Sequence, residues 1–439
     1  MKNASIVRFL TFVAMLAGLS FPAVPIAAAQ TSTDAGPSTP VDLAKRVDDL
    51  EKELNQLKAE LAAQKPAESP APAPAPAPVP AAAALSTAAP AAAPAPTGLA
   101  ALLGPTTLSG FVDVYYDYNS NQPAGRQTAY RNFDINSGQF SLNMLELVAD
   151  KAVDKTNPVG YHVALGFGQA ENTVNGGETS LDQYLKEGYL EYLAPVGKNG
   201  LQINLGKFVT PAGAEVIESK DNWNYSRSLL FAWAIPYFHF GMSAKYAFND
   251  KVSLTGYLVN GWNGSVDNNS GKTAGFSLAW TPNKKTSLTE NFLFGPEQSN
   301  DNSDFRELSD TVLTFTPTAK LSLMANVDYG HDTTPSTPSI SGSWGGVALY
   351  AKYAVNDKYA FAIRGEYFDD HEGLATGIGQ NMGEFTATFQ RTIAKSIISR
   401  VEFRRDISNQ PVFPYRSGLP ISDQNTVSVG VIYAFSSAQ

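Results

Sequence analysis

Between Thr106 and Phe435 the chain repeats one pattern, apolar residues at every second position over stretches of about ten residues. In TLSGFVDVYYDYN, Leu108, Val112, Val114, Tyr116 and Tyr118 alternate with Ser109, Asp113 and Asp117. The pattern returns in Val159/Tyr161/Val163/Leu165/Phe167, Leu201/Ile203/Leu205, Phe240/Met242/Ala244/Tyr246/Phe248 and Ala274/Phe276/Leu278/Trp280. It returns again in Leu321/Leu323/Ala325/Val327/Tyr329, Tyr359/Phe361/Ile363 and Val427/Val429/Val431/Tyr433/Phe435. A period of two belongs to a strand whose faces meet two different surroundings.

The residues between the apolar positions identify those surroundings. They are mostly Gly, Ala, Ser, Thr and Asn with scattered charges, whereas the outer face of a water-soluble sandwich is rich in Lys and Glu. Aromatics gather at strand ends, where a membrane barrel carries its interfacial girdles. Connections alternate between short ones, such as Asn249-Asp250-Lys251 and Asn356-Asp357-Lys358, and long polar ones near 119–138, 209–236, 295–306 and 407–423. Short turns on one side and long loops on the other are the habit of outer-membrane barrels. The expected fold is all-β, a transmembrane antiparallel up-and-down β-barrel of about 16 strands, within a span of about 14–18 because 139–153 and 183–194 break the alternation. The chain stops soon after VSVGVIYAF, an aromatic-ended last strand followed by Ser436 to Gln439.

Three segments precede the barrel, which is assigned to residues 105–439. Lys2 and Arg8, an apolar stretch from Phe9 to Leu19 and the small residues Ala27-Ala28-Ala29 describe a secretory signal over 1–29, cleaved after Ala29. Over 41–64, Leu43, Val47, Leu50, Leu54, Leu57 and Leu61 recur at spacings of four and three, a heptad seam that makes helices associate. In the linker, 65–104, the run from Pro66 to Pro96 is almost entirely Ala and Pro, a polyproline-like spacer able to reach on the order of 90 Å. With both barrel ends on the short-turn side, helix and spacer fall in the periplasm.

Composition excludes other classes. The chain has no cysteine, hence no disulfide framework or thiolate metal site. A net charge of −9 speaks against a nucleic-acid partner. The four histidines, His162, His239, His331 and His371, fall in no hydrolase or metal-ligand spacing, so no enzyme and no cofactor is expected. Asp369-Asp370-His371-Glu372 reads as a solvated acidic loop before it reads as a cation site.

One stretch fits neither strand nor ordinary loop. DNWNYSRSLLFAWAIPYFHFG, 221–241, sets seven consecutive apolar residues, Leu229 to Ile235, beside Asp221 and Arg227. An extracellular loop would not present that run to water. The segment 209–236 is therefore expected to fold into the lumen, its apolar part wedged against the wall. Glu215, Glu218, Lys220, Asp221 and Arg227 would then narrow the pore. On the wall, Arg364 with Glu366, and Arg400 with Glu402 and Arg404, share inward faces, either as pore-lining charges or as structural ion pairs between strands.

The stretch GKFVTPAGAEVIESKDNWNYSRSLLFAWAIPYFHFG (Gly206–Gly241), together with LSGFVDVYYDYN and the GYLVNGWN ending at Asn263, resembles the OmpL-like β-barrel porin family, beta-barrel porin-2. The resemblance covers most of 106–435 and leaves out the heptad helix and spacer. It implies a pore in the outer membrane whose solute is unassigned. The resulting expectation is an outer-membrane porin passing small hydrophilic solutes, surrounded by outer-membrane lipid and associated as a homotrimer. The alternative is an anchor whose periplasmic helix grips peptidoglycan.

Overall fold

The computed structural model describes residues 104–334 and 340–437. The signal segment, the heptad helix and all of the Ala/Pro linker but Gly104 lie outside the described residues. The first strands are β1 (Thr107–Asn119), β2 (Gln139–Lys151), β3 (Val159–Phe167) and β4 (Leu185–Ala194). They are followed by β5 (Leu201–Val209), β6 (Phe238–Asn249), β7 (Val252–Val259) and β8 (Thr273–Asn283). The second half holds β9 (Thr286–Pro296), β10 (Phe305–Phe315), β11 (Leu321–Thr334) and β12 (Ile340–Ala354). The last four are β13 (Tyr359–Asp370), β14 (Gln380–Ala394), β15 (Ile397–Ser408) and β16 (Asp423–Ser436). Each pairs antiparallel with its chain neighbours, and β16 closes onto β1 with Tyr116 opposite Val429, so the sheet has no edge. The barrel has the expected sixteen strands.

The alternation sorts outside from inside. Along β16, Val427, Val429, Val431 and Tyr433 are 40–49 % exposed while Gln424, Thr426 and Ser428 are buried. The exposed side is thus the apolar one, which is stable only where lipid replaces water. Connections alternate as expected, from the two-residue turn 250–251 to the long loops 120–138, 210–237 and 409–422. The sequence reading passed over a further long connection, 168–184, which holds a short helix α1 (Gln169–Val174).

The two irregular segments are strands with bulges. In β2, Asp113 pairs with Met144 and Val114 with Leu142, leaving Asn143 as the extra residue. Outward positions change there from even (Leu142) to odd (Leu147). In β4, Ala164 pairs with Glu187 and Leu165 with Leu185, so Lys186 is extra and both Lys186 and Glu187 are buried. A bulge turns successive side chains to the same face and breaks the period by one residue.

The apolar core of this molecule lies inside the barrel. Phe111, Phe133, Trp344 and Phe368 gather around Leu229, Leu230, Phe231 and Ile235 from the connection between β5 and β6. That loop is packed within the wall.

Candidate pore site

The loop 210–237 enters at Gly213, whose φ of +98° few side chains adopt. A Cβ there would also fall 2.6 Å from Ile235 Cδ1. The Gly213 and Ala214 amides donate to Asp310 Oδ1 (2.9 Å) and Asn326 Oδ1 (3.2 Å), on β10 and β11. Asp310 is held in turn by Asn291 and Asn326 at 2.7 and 2.6 Å.

An irregular backbone buried in this way needs partners for its polar groups, and the inner wall supplies them by sign. Carboxylates take the amides: Glu402 accepts from Tyr225 N (2.5 Å) and Ser226 N (2.9 Å), and Glu366 from Leu229 N (2.7 Å). Arginines serve the carbonyls. Arg364 donates to Ser226 O (2.8 Å), Arg404 to Arg227 O (2.5 Å), and Arg400 to Ser219 O (2.5 Å) and Asn222 O (2.6 Å). Arg364 also grips Glu215 on the loop at 2.7 Å and Glu384 on β14 at 2.9 Å. Charge-assisted bonds of this kind are roughly twice as strong as neutral ones.

Loop residues outside the ion pairs complete the attachment. The Tyr225 phenol, kept protonated well above its ordinary value of 10 by burial and then by the Asp113 carboxylate, donates to Asp113 Oδ1 at 2.9 Å. Its ring lies over Gly430 of β16, where a Cβ would come within 2.4 Å. Residues Leu230–Ala234 make one turn of π-helix, packed through Phe231 on the tilted ring of Phe133 (5.6 Å) and capped at Ala234 O by Trp344 Nε1 (3.0 Å).

The sequence-derived charges divide into two groups. Glu215 and Arg227 are buried within the loop's attachment. Glu215 joins Arg364 to Ser228 N (2.6 Å), and Arg227 donates to Tyr225 O (2.7 Å), Val216 O (3.2 Å) and Ile217 O while stacking on Phe133. Glu218 reaches across to Lys186 of β4, which also holds Glu146 at 2.5 Å. Lys220 and Asp221 pair with each other at 2.5 Å, and their side chains are 28 and 55 % exposed. Arg364, Glu366, Arg400, Glu402 and Arg404 face inward, but loop and neighbouring side chains cover them, so they do not meet open water. Asp370 of the acidic run is buried and accepts from Ala375 N (3.1 Å) and Thr376 N (2.7 Å), shaping its own loop.

The attachments of the loop to β1, β4 and β10–β16 leave the inner wall of β5–β8 clear. There Gln202, Asn204, Ser243, Lys245, Thr255 and Ser277 line an open polar cavity of about 300 Å³. At its β4 border Glu191 accepts from Gln202 at 2.8 Å. Beside it His162 lies between Asp150 (2.9 Å) and Glu187 (3.5 Å). This surface offers hydroxyls, amides and charges of both signs to a passing polar molecule. Sequence reasoning missed Asp113, Lys186, Asp310 and Gly430 as loop partners, and Glu384 as the wall acid that holds Arg364. The one legible hint was Asp113 at an inward position of β1.

The model of the OmpL-like beta-barrel porin-2 family matches residues 105–435. Comparison with curated proteins gives no significant match. Among solved structures, an anion-selective porin from Comamonas acidovorans superposes with a TM-score of 0.52 at 12 % identity, covering 75 % of this chain and 99 % of that one. Salmonella typhi OmpF in complex with daunomycin gives 0.51 at 14 % identity, and the outer membrane channel DcaP of Acinetobacter baumannii 0.50 at 13 %; each alignment covers 75 % of this chain and 97 % of the other. At such identities the likeness is one of fold.

Proposed function

The chain belongs to the OmpL-like beta-barrel porin-2 family, and on that premise we propose that this outer-membrane barrel is a water-filled channel for passive diffusion of small hydrophilic solutes. A closed barrel of this strand number is wide enough to hold an aqueous lumen. One observation carries the reading: the inward loop is bound to one side of the wall, while the opposite wall, β5–β8, stays polar and open. The loop thus reduces the bore without closing it.

Within that reading the ten charged residues have separate tasks. Arg364, Glu366, Arg400, Glu402 and Arg404, with Glu215 and Arg227, hold the constriction in shape. Glu218, Lys220 and Asp221, with Lys245 across the lumen, present the field that a solute meets. None performs bond chemistry. Three copies assemble side by side in the membrane, with the heptad helices in the periplasm.

The test is conductance of purified protein in planar bilayers, with reversal potentials measured in a salt gradient. Stable open channels whose ion preference moves when Lys220 or Asp221 changes sign support the proposal. A barrel that inserts and stays silent refutes it and leaves the anchoring role.

A further inference from the structure

The outer face of the barrel is mostly apolar, and on β9 and β10 a polar group interrupts it between the aromatic rows. On β9 the outward series is Leu288, Glu290, Phe292 and Phe294, and on β10 it is Phe305, Glu307, Ser309, Thr311, Leu313 and Phe315. Register fixes these as outward: Glu290 stands opposite Leu278 of β8 and Thr311 of β10, and Leu278 is on the exposed apolar face. Glu290 accepts from Ser309 Oγ at 2.8 Å and from Thr311 Oγ1 at 2.5 Å. This acid and its two hydroxyls lie between the aromatic rows, with Trp280 and Phe315 toward the short turns and Phe294, Phe305 and Tyr329 toward the long loops. Glu307, the other outward carboxylate of these two strands, stands nearer the long loops, opposite Phe294 of the loop-side aromatic row.

Lipid is a poor neighbour for it. A charged outward side chain destabilises a barrel increasingly toward the bilayer midplane, and two hydroxyl donors leave a carboxylate with unused acceptor capacity. The flanking wall on β11 carries two small side chains. Ala325 and Val327 of β11 stand beside Leu313 and Thr311, and on β12 they face Leu349 and Val347. Small residues let two packed surfaces approach closely in a membrane, where polar side chains then bond across the contact.

We propose that the outer face of β9–β12, centred on Glu290, Ser309 and Thr311, is the surface through which this barrel docks on a second copy of itself. The occupant follows from the rest of the chain. The heptad pattern from Leu43 to Leu61 belongs to the same chain as the barrel, so helices that associate through it would hold further copies of the barrel within reach of the linker. This inference names the surface for the side-by-side assembly proposed above. It depends on the barrel being embedded in lipid and not on what passes through it.

The absence of cysteine makes the test direct. Full-length Thr311→Cys and Ala325→Cys, each also combined with Glu290→Gln, are compared in outer-membrane fragments with Val429→Cys on the lipid-facing side of β16. Each is treated with a short bis-maleimide, and a second sample is labelled with a fluorophore and reconstituted with brominated lipid. The proposal expects products at multiples of the chain mass from Thr311→Cys and Ala325→Cys but not from Val429→Cys. It also expects brominated lipid to lose its quenching effect at the first two sites and keep it at the third. Full quenching at Thr311→Cys without cross-linked multimers overturns it, as does a cross-linked product whose added mass is a different protein. A conductance failure of the same preparation would bear on the channel reading and leave this one untouched.

Discussion

Replacing Arg364 by Met removes the most heavily bonded attachment of the loop. The guanidinium is fully buried and donates to Glu215 (2.7 Å), Ser226 O (2.8 Å) and Glu384 (2.9 Å). Met keeps the length of the side chain and supplies no donor, so Glu215 and Glu384 each lose an ion-pair partner and Ser226 O loses its donor. Breaking a buried ion pair from one side costs about 3–5 kcal/mol, which shifts the docking equilibrium of the loop by roughly 150- to 5000-fold. The strand ladders of β13 stay intact, so the barrel should still assemble. The expected phenotype is therefore a porin with rapid current fluctuations and raised mean conductance, together with faster amide exchange over 213–229. Adding Glu215→Gln to Arg364→Met removes one orphaned charge and should restore part of the quiet open level. Unchanged noise and exchange in Arg364→Met would falsify the idea that wall arginines hold the loop.

Gly430→Leu should displace Tyr225, whose ring leaves no room for a Cβ, and give the same noisy conductance, while Val429→Leu on the outer face should leave single-channel traces unchanged. Lys220→Glu should move the reversal potential toward cation preference, whereas Arg227→Ala, which loses bonds to loop carbonyls, should raise noise with little change in preference. Glu297 lies in the loop after β9, and burial, against the pull of Thr273 and the Trp262 amide, lifts its carboxyl from 4.5 to about 7. A raised acid favours the folded loop while protonated, so its contribution is complete below pH 4.5 and fades as the pH rises to about 7. Amide exchange over 260–272 should quicken across that window, and Glu297→Gln should flatten the dependence.

How far the sequence carries can be followed along particular residues. Alternation in β1, β6 and β16 gave away the barrel because lipid and lumen demand opposite side chains at adjacent positions. Asn143 and Lys186 hid their strands because one bulged residue reverses parity, and a period-two reading sees only disorder there. The loop was legible from Leu229 to Ile235, since no other arrangement covers such a run. The task of Arg227 was not. A charge in a loop looks the same whether it meets water or the carbonyls of Val216, Ile217 and Tyr225, and only the folded path decides. For the same reason Arg400 and Arg404 read equally as pore-lining charges or as ion pairs between strands, and only the loop backbone placed over them shows that they donate to its carbonyls.

The central claim is that solutes pass along the β5–β8 wall beside a fixed loop. Current through single-cysteine channels, before and after a charged methanethiosulfonate, tests it most directly. The account predicts that Ser277→Cys and Ser243→Cys channels lose current on modification, while Thr388→Cys, covered by Asn224 of the loop, does not react. Block at Thr388→Cys with none at Ser277→Cys would place the passage on the other side of the loop and contradict the account.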